Sequence, residues 1–127
     1  MKRIFTQLTL FILCINAMAE TYYVSDESQL HTIAANVNSG AKSYEGDIIY
    51  LQADITLTEE WVPIGNSDYF FQGTFEGWGH VISGLNITSD GNYQGLFGYI
   101  ADGKICNVGV EGSVSATGKD VGGIWVK

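Results

Sequence analysis

The strongest constraint on this chain is an apolar pattern that breaks its own alternation in the same way twice. Ile82, Leu85 and Ile87 share their spacing with Ile105, Val108 and Val110, so I-x-x-[LV]-x-[IV] recurs after 23 residues. A hairpin carries period-two alternation into and out of its turn. Two residues between inward positions instead suit a chain turning a corner around one core. A short strand of this kind cannot bury its apolar face alone, so it stacks on the strand of the next repeat. A second echo supports this: Gly95, Leu96 and Phe97 are matched by Gly122, Gly123 and Ile124 at an offset of 27. The pattern predicts stacked strand repeats rather than an antiparallel sandwich, the competing reading of short strands with regular turns.

Upstream, one convincing helix is expected between Ser25 and Asn38, because Leu30, Ile33, Ala34 and Val37 fall on one helical face. Ser25 or Asp26 is the N-cap, Gln29 completes a capping-box pattern, and Gly40 sits where the helix stops. From Ile49 to Thr58 the alternation is strict, with Ile49, Leu51, Ala53, Ile55 and Leu57 on one face. This predicts a strand with one buried side.

The N-terminus reads as a secretory signal: Lys2 and Arg3, an apolar run from Ile4 to Ile15, then Ala17, Met18 and Ala19 before Glu20. The run is too short and too interrupted for a membrane span, which needs about 20 apolar residues. Lipidation at Cys14 is the alternative, although Leu13 is larger than the small residue such processing accepts. Cleavage removes 19 of the 127 residues and leaves 108. Taking Lys2 and Arg3 from a chain of formal charge -8 gives -10, with no arginine left and Cys106 as the remaining thiol. Such a surface repels phosphate backbones and anionic lipid, which excludes nucleic acid as a partner. One thiol cannot close an internal disulfide, so packing must hold the domain together.

Several segments together resemble secreted bacterial proteins with GLUG-type repeats, found in adhesin-like surface proteins and in the non-catalytic β-helical region of IgA-specific metallopeptidases. The match runs through Val37-Asn38-Ser39-Gly40, Ala53-Asp54-Ile55 and Trp61-Val62-Pro63-Ile64-Gly65. It continues through Gly73 to Ile82, Gly95 to Ile100 and Ile105 to Val110. The resemblance implies an all-β right-handed parallel β-helix, or solenoid, with an N-terminal capping helix. The expected organisation is a signal peptide over 1–19, a strand and capping helix over 20–45, and repeat coils over 46–127, truncated at the C-terminus. Turn and ladder roles then fall to Gly73, Gly77, Gly79, Ile82, Leu85, Ile87, Gly95, Phe97, Gly98, Ile105, Val108, Val110, Gly122 and Gly123. In similar sequences the position of Trp78 is more often a small polar turn residue.

No catalytic, cofactor or metal residues are expected. H-E-x-x-H is missing, since neither His31 nor His80 is followed by Glu. A lyase base is missing with the arginines. Glu59 and Glu60 adjoin each other in a turn, while Asp54 and Glu76 face outward, rather than opposing one another across a substrate. The aromatic rings carry the functional signal, because exposed rings stack on sugar faces or anchor protein contacts. Trp78, Trp61 and Tyr93 are the candidate ligand contacts, with Trp78 expected to be exposed and Trp61 expected to pack over the helix. The expected function is a non-enzymatic secreted or cell-surface module, adhesive or spacer, with an extracellular glycan or host protein as partner and no transmembrane span in the mature chain. The alternatives are a carbohydrate-binding module and the N-terminal piece of a longer peptidase or polysaccharide-degrading enzyme. An uncapped last repeat further predicts self-association through the C-terminal coil.

Overall fold

The computed structural model describes residues 19–115 together with 118, 119 and 122. The signal sequence, Cys14, Gly123 and the ending at Lys127 therefore lie outside the described residues. Among the described residues seven strands and one helix follow in the order β1 (Thr21–Val24), α1 (Glu27–Asn38), β2 (Ile48–Leu51), β3 (Ile55–Thr56), β4 (Thr74–Glu76), β5 (Val81–Ile87), β6 (Lys104–Cys106) and β7 (Gly109–Val114). All pairing is parallel, in a four-stranded sheet β1-β2-β4-β6 and a three-stranded sheet β3-β5-β7.

Helix α1 starts where the capping chemistry places it. Asp26 is extended and its carboxylate accepts from the Gln29 amide at 2.8 Å. Gln29 returns the favour one residue earlier than a standard capping box, its Oε1 accepting from the Ser25 N–H at 2.7 Å. Ser39 closes the helix and Gly40 follows at φ +80°. The four residues on its apolar stripe, Leu30, Ile33, Ala34 and Val37, are all buried.

That helix and both sheets share one core. Ile49, Leu51 and Phe75 enter it from the first sheet, Ile55, Ile82, Leu85 and Ile87 from the second, and Trp61, Ile64, Phe71, Leu96 and Phe97 from the connections. The expected ladder residues Ile105, Val108 and Val110 are only partly buried against it. They belong to the last row of strands described.

The expected all-β right-handed β-helix is corrected by this arrangement. The described residues form two separate short sheets and a core-forming α-helix, with no closed coil among them. Strands of two to seven residues alternate with long irregular connections, in which bridges form at Ile64–Phe97 and Phe71–Ile100.

Two finer expectations change with it. The 23-residue repeat does not set the pairing: Ile82 pairs with Ile55 and Val110, whereas Ile105 pairs with Phe75. The shared spacing has two different causes. Between Ile82 and Leu85 it is an irregularity inside one continuous strand, with Gly84 at φ +74°. Between Ile105 and Val108 it is a true corner from the first sheet to the second, with Asn107 at φ +52°. Likewise, the single strand expected over 49–58 is two strands in different sheets. The alternation survives the break, since Ile49, Leu51, Ile55 and Leu57 are all buried. The corner between them is tied to the next layer, because the Asp54 carboxylate accepts from the Val81 N–H at 2.9 Å, 27 residues on.

Candidate ligand-binding surface

The register of the first sheet puts Tyr23, Tyr50, Glu76 and Cys106 in one row. Val24, Ile49, Leu51 and Phe75 take the inward positions, so this row faces outward. Adjacent parallel strands lie about 4.8 Å apart, close to the stacking distance of aromatic rings. Tyr23 and Tyr50 stack with centroids 5.8 Å apart. Trp78, two residues beyond the end of β4, folds back to stack on Tyr50 at 4.4 Å. The result is a file of three rings with both ends open: Tyr23 is 52% exposed and Trp78 55%.

The Trp78 backbone is in the left-handed region, φ +51°, an uncommon conformation for a bulky residue. Its neighbours hold it there. The Glu76 carboxylate accepts from the Trp78 N–H at 2.9 Å and from Asn107 Nδ2 at 3.0 and 3.2 Å. The Asn107 amide, with help from the Trp78 N–H, lowers the Glu76 pKa from its ordinary value. Gly77 on one side has no room for a Cβ, which would lie 2.4 Å from the Asn107 carbonyl oxygen, and Gly79 on the other has φ +79°. The turn is thus held through the Trp78 N–H, Glu76, Asn107 and the flanking glycines rather than by a hydrogen bond of the indole.

The other two sequence candidates lie elsewhere. Trp61 is buried, 1% exposed, with its Nε1 donating to the Leu96 carbonyl at 3.0 Å and its ring 5.0 Å from that of His31. It packs against the helix, as expected from the sequence, and is not available as a ligand contact. Tyr93 is half-buried at φ +57° and meets Tyr99 edge to face at 4.8 Å. Both line a separate cleft of about 480 Å³. Among the turn glycines, a Cβ on Gly73 or Gly98 would lie 2.6 Å from a backbone oxygen, Gly95 is buried and a Cβ on Gly122 would meet open space. Sequence reasoning missed Tyr23 and Tyr50, whose alternation marks them as outward-facing but not as partners of Trp78.

The polar side chains elsewhere serve the fold. Glu27 accepts from the Thr58 hydroxyl at 2.7 Å, the Thr58 N–H at 2.8 Å and the Glu59 N–H at 3.2 Å, tying α1 to the residues after β3. These bonds, the Thr58 hydroxyl first, hold its carboxyl at a pKa of about 2. Glu60 accepts from the Thr88 hydroxyl and N–H, which lowers its pKa as well. Asp47, the buried charged residue, is paired with Lys42 at 3.3 Å. Hydrogen bonding to Tyr22, then to Asp47, raises the Lys42 pKa against the opposing effect of burial. His31 and His80 lie beside carboxylates, of Glu27 at 3.4 Å and Asp54 at 3.2 Å. Among the described residues no group of three or more His, Cys, Asp or Glu side chains is placed to hold a metal ion. None of the described helices is long and apolar enough to cross a membrane.

No family model matches the chain. No solved structure matches it either. A curated relative from Evansella cellulosilytica, named "Putative Gly-rich membrane protein", is 39% identical over 77 residues. The match takes in 54% of this chain and 9% of that protein, so the chain spans less than a tenth of the relative's length.

Proposed function

We propose that the chain is a non-enzymatic extracytoplasmic adhesive module that holds a neutral glycan against the Tyr23–Tyr50–Trp78 file. The observation that carries this reading is the exposure of a Trp whose ring stacks on Tyr50 and whose backbone is held in an unfavoured conformation. Observed strain at an exposed aromatic is a reason to look for function there. A pyranose presents an apolar C–H face to an aromatic ring and hydroxyls to the polar groups at its rim. The excess of 14 acidic over 6 basic residues disfavours anionic polysaccharides, leaving neutral ones. The extracytoplasmic placement is supported by the N-terminal signal pattern and agrees with the membrane-protein name of the relative.

The test is an array of neutral and anionic glycans probed with the wild-type chain, Trp78→Ala and Tyr23→Ala, with amide spectra confirming that each variant folds. The expected result is binding to neutral glycans that Trp78→Ala abolishes and Tyr23→Ala weakens. Undiminished binding by folded Trp78→Ala overturns the proposal, as does a wild-type chain that binds no glycan.

A further inference from the structure

The cleft that contains Tyr93 and Tyr99 is built differently from the aromatic file, and no charged side chain lines it among the described residues. Its walls come from the end of α1 and the connections after β3 and β5. Gly98 and Gly65 bring those connections into contact, since a Cβ on Gly98 would lie 2.6 Å from the Gly65 carbonyl oxygen. The neighbouring Asn38 and Asn66 side chains are spent on this scaffold. Asn38 donates to the Pro63 carbonyl and accepts from Gly65, while Asn66 donates to the Asn38 carbonyl and accepts from Asp68 and Tyr69. Gln94 is not spent in this way. Its Nε2 donates to the Asn92 carbonyl at 3.2 Å, but its Oε1 is buried with no donor. A buried acceptor left unpaired is unfavourable and invites a donor.

We infer that this cleft is a second binding site, for a single uncharged sugar ring, with a ligand hydroxyl donating to Gln94 Oε1. A volume of about 480 Å³ is within the ordinary range for small-ligand sites. Tyr93 and Tyr99 supply aromatic surface, and the Ser67 and Ser89 hydroxyls can donate or accept. Among the described residues no cation lines the cleft to compensate a carboxylate or phosphate, which favours a neutral polyol over its acidic counterpart. Oε1 is shielded from solvent as it stands, so a bond to a ligand hydroxyl requires the Gln94 side chain to rotate toward the cleft, and that rotation is part of the inferred binding. This site stands apart from the Tyr23–Tyr50–Trp78 file and does not depend on it.

The experiment is amide shift mapping of the isotopically labelled chain, with D-glucose, D-galactose, N-acetyl-D-glucosamine and D-glucuronate each titrated to tens of millimolar. Saturable shifts at Gly91, Asn92, Gln94 and Tyr99 with at least one neutral sugar, and none with glucuronate, are expected. They should persist in Trp78→Ala and weaken about five- to tenfold in Gln94→Ala, the size of one lost hydrogen bond. The inference is overturned if no neutral sugar shifts these amides in the wild-type chain, if glucuronate shifts them equally, or if Trp78→Ala removes the response. The first of these outcomes requires no variant to fold, and loss of the response in Trp78→Ala assigns the binding to the aromatic file instead.

Discussion

Replacing Trp78 by glycine separates a ring kept for contact from a ring kept for the fold. Losing the stack on Tyr50 costs about 0.5–1.5 kcal/mol, and the covered side of a ring that is 55% exposed adds about 2 kcal/mol of lost apolar burial. Relief of the left-handed backbone returns about 1–2 kcal/mol. The extra freedom of glycine in the unfolded chain takes back about 0.5–1 kcal/mol. Backbone relief offsets these losses only in part, so Trp78→Gly should lose about 1–2 kcal/mol, short of the cost of deleting a core Trp. Trp78→Ala loses the stack without relieving the backbone, and should be the less stable of the two by several tenths to about 1 kcal/mol. Urea denaturation followed by far-UV circular dichroism measures both. With a slope of about 1–3 kcal/mol/M for a small domain, the expected differences are resolved as shifts of the midpoint. A loss above about 3 kcal/mol in Trp78→Gly, the range of a core Trp deletion, would show that the indole supports the fold. Glycan binding that survives in the folded glycine variant would refute the contact role by a separate route.

Trp61→Phe should cost about 2 kcal/mol, from one hydrogen bond and the volume lost between indole and phenyl. The cost stays moderate because the Leu96 carbonyl it leaves also accepts from the Ile64 N–H at 3.0 Å; a loss above about 4 kcal/mol in chemical denaturation would contradict this. Gly84→Ala places a Cβ 2.4 Å from the Leu57 carbonyl oxygen at φ +74°, so it should destabilise by at least about 2 kcal/mol, and an unchanged urea midpoint would disprove the close approach. Glu27 has a folded pKa of about 2 against an ordinary value of 4.5. Because the folded value is the lower one, its contribution is fully present above pH 4.5 and is lost as pH falls from there toward 2. Stability measured across that window should fall less steeply in Glu27→Gln than in wild type, and identical slopes would rule out the helix tie as the cause.

Some of this protein was settled by neighbours along the chain. Asp26, the apolar stripe from Leu30 to Val37 and Gly40 define α1 because capping and helical periodicity act over a few residues. Alternation alone also placed Ile49, Leu51, Ile55 and Leu57 inside, whichever strands they joined. The exposure of Trp78 was legible for a similar reason, since it lies between two turn glycines. Partner choice was not local. The same I-x-x-[LV]-x-[IV] spacing became an irregularity within β5 and a corner between β6 and β7, because which of these forms depends on the strand already lying alongside. Equal spacing implies equivalent corners and a closed coil, whereas the pairing makes two separate sheets with a helix in the core. The functional surfaces were decided at the same level. Tyr23 meets Tyr50 only because β1 pairs with β2 in the register Tyr23–Tyr50, and the Tyr93 cleft exists only where Gly65 and Gly98 meet. Periodicity says which way a side chain points, but the ring it will touch is set by strand register across more than twenty intervening residues.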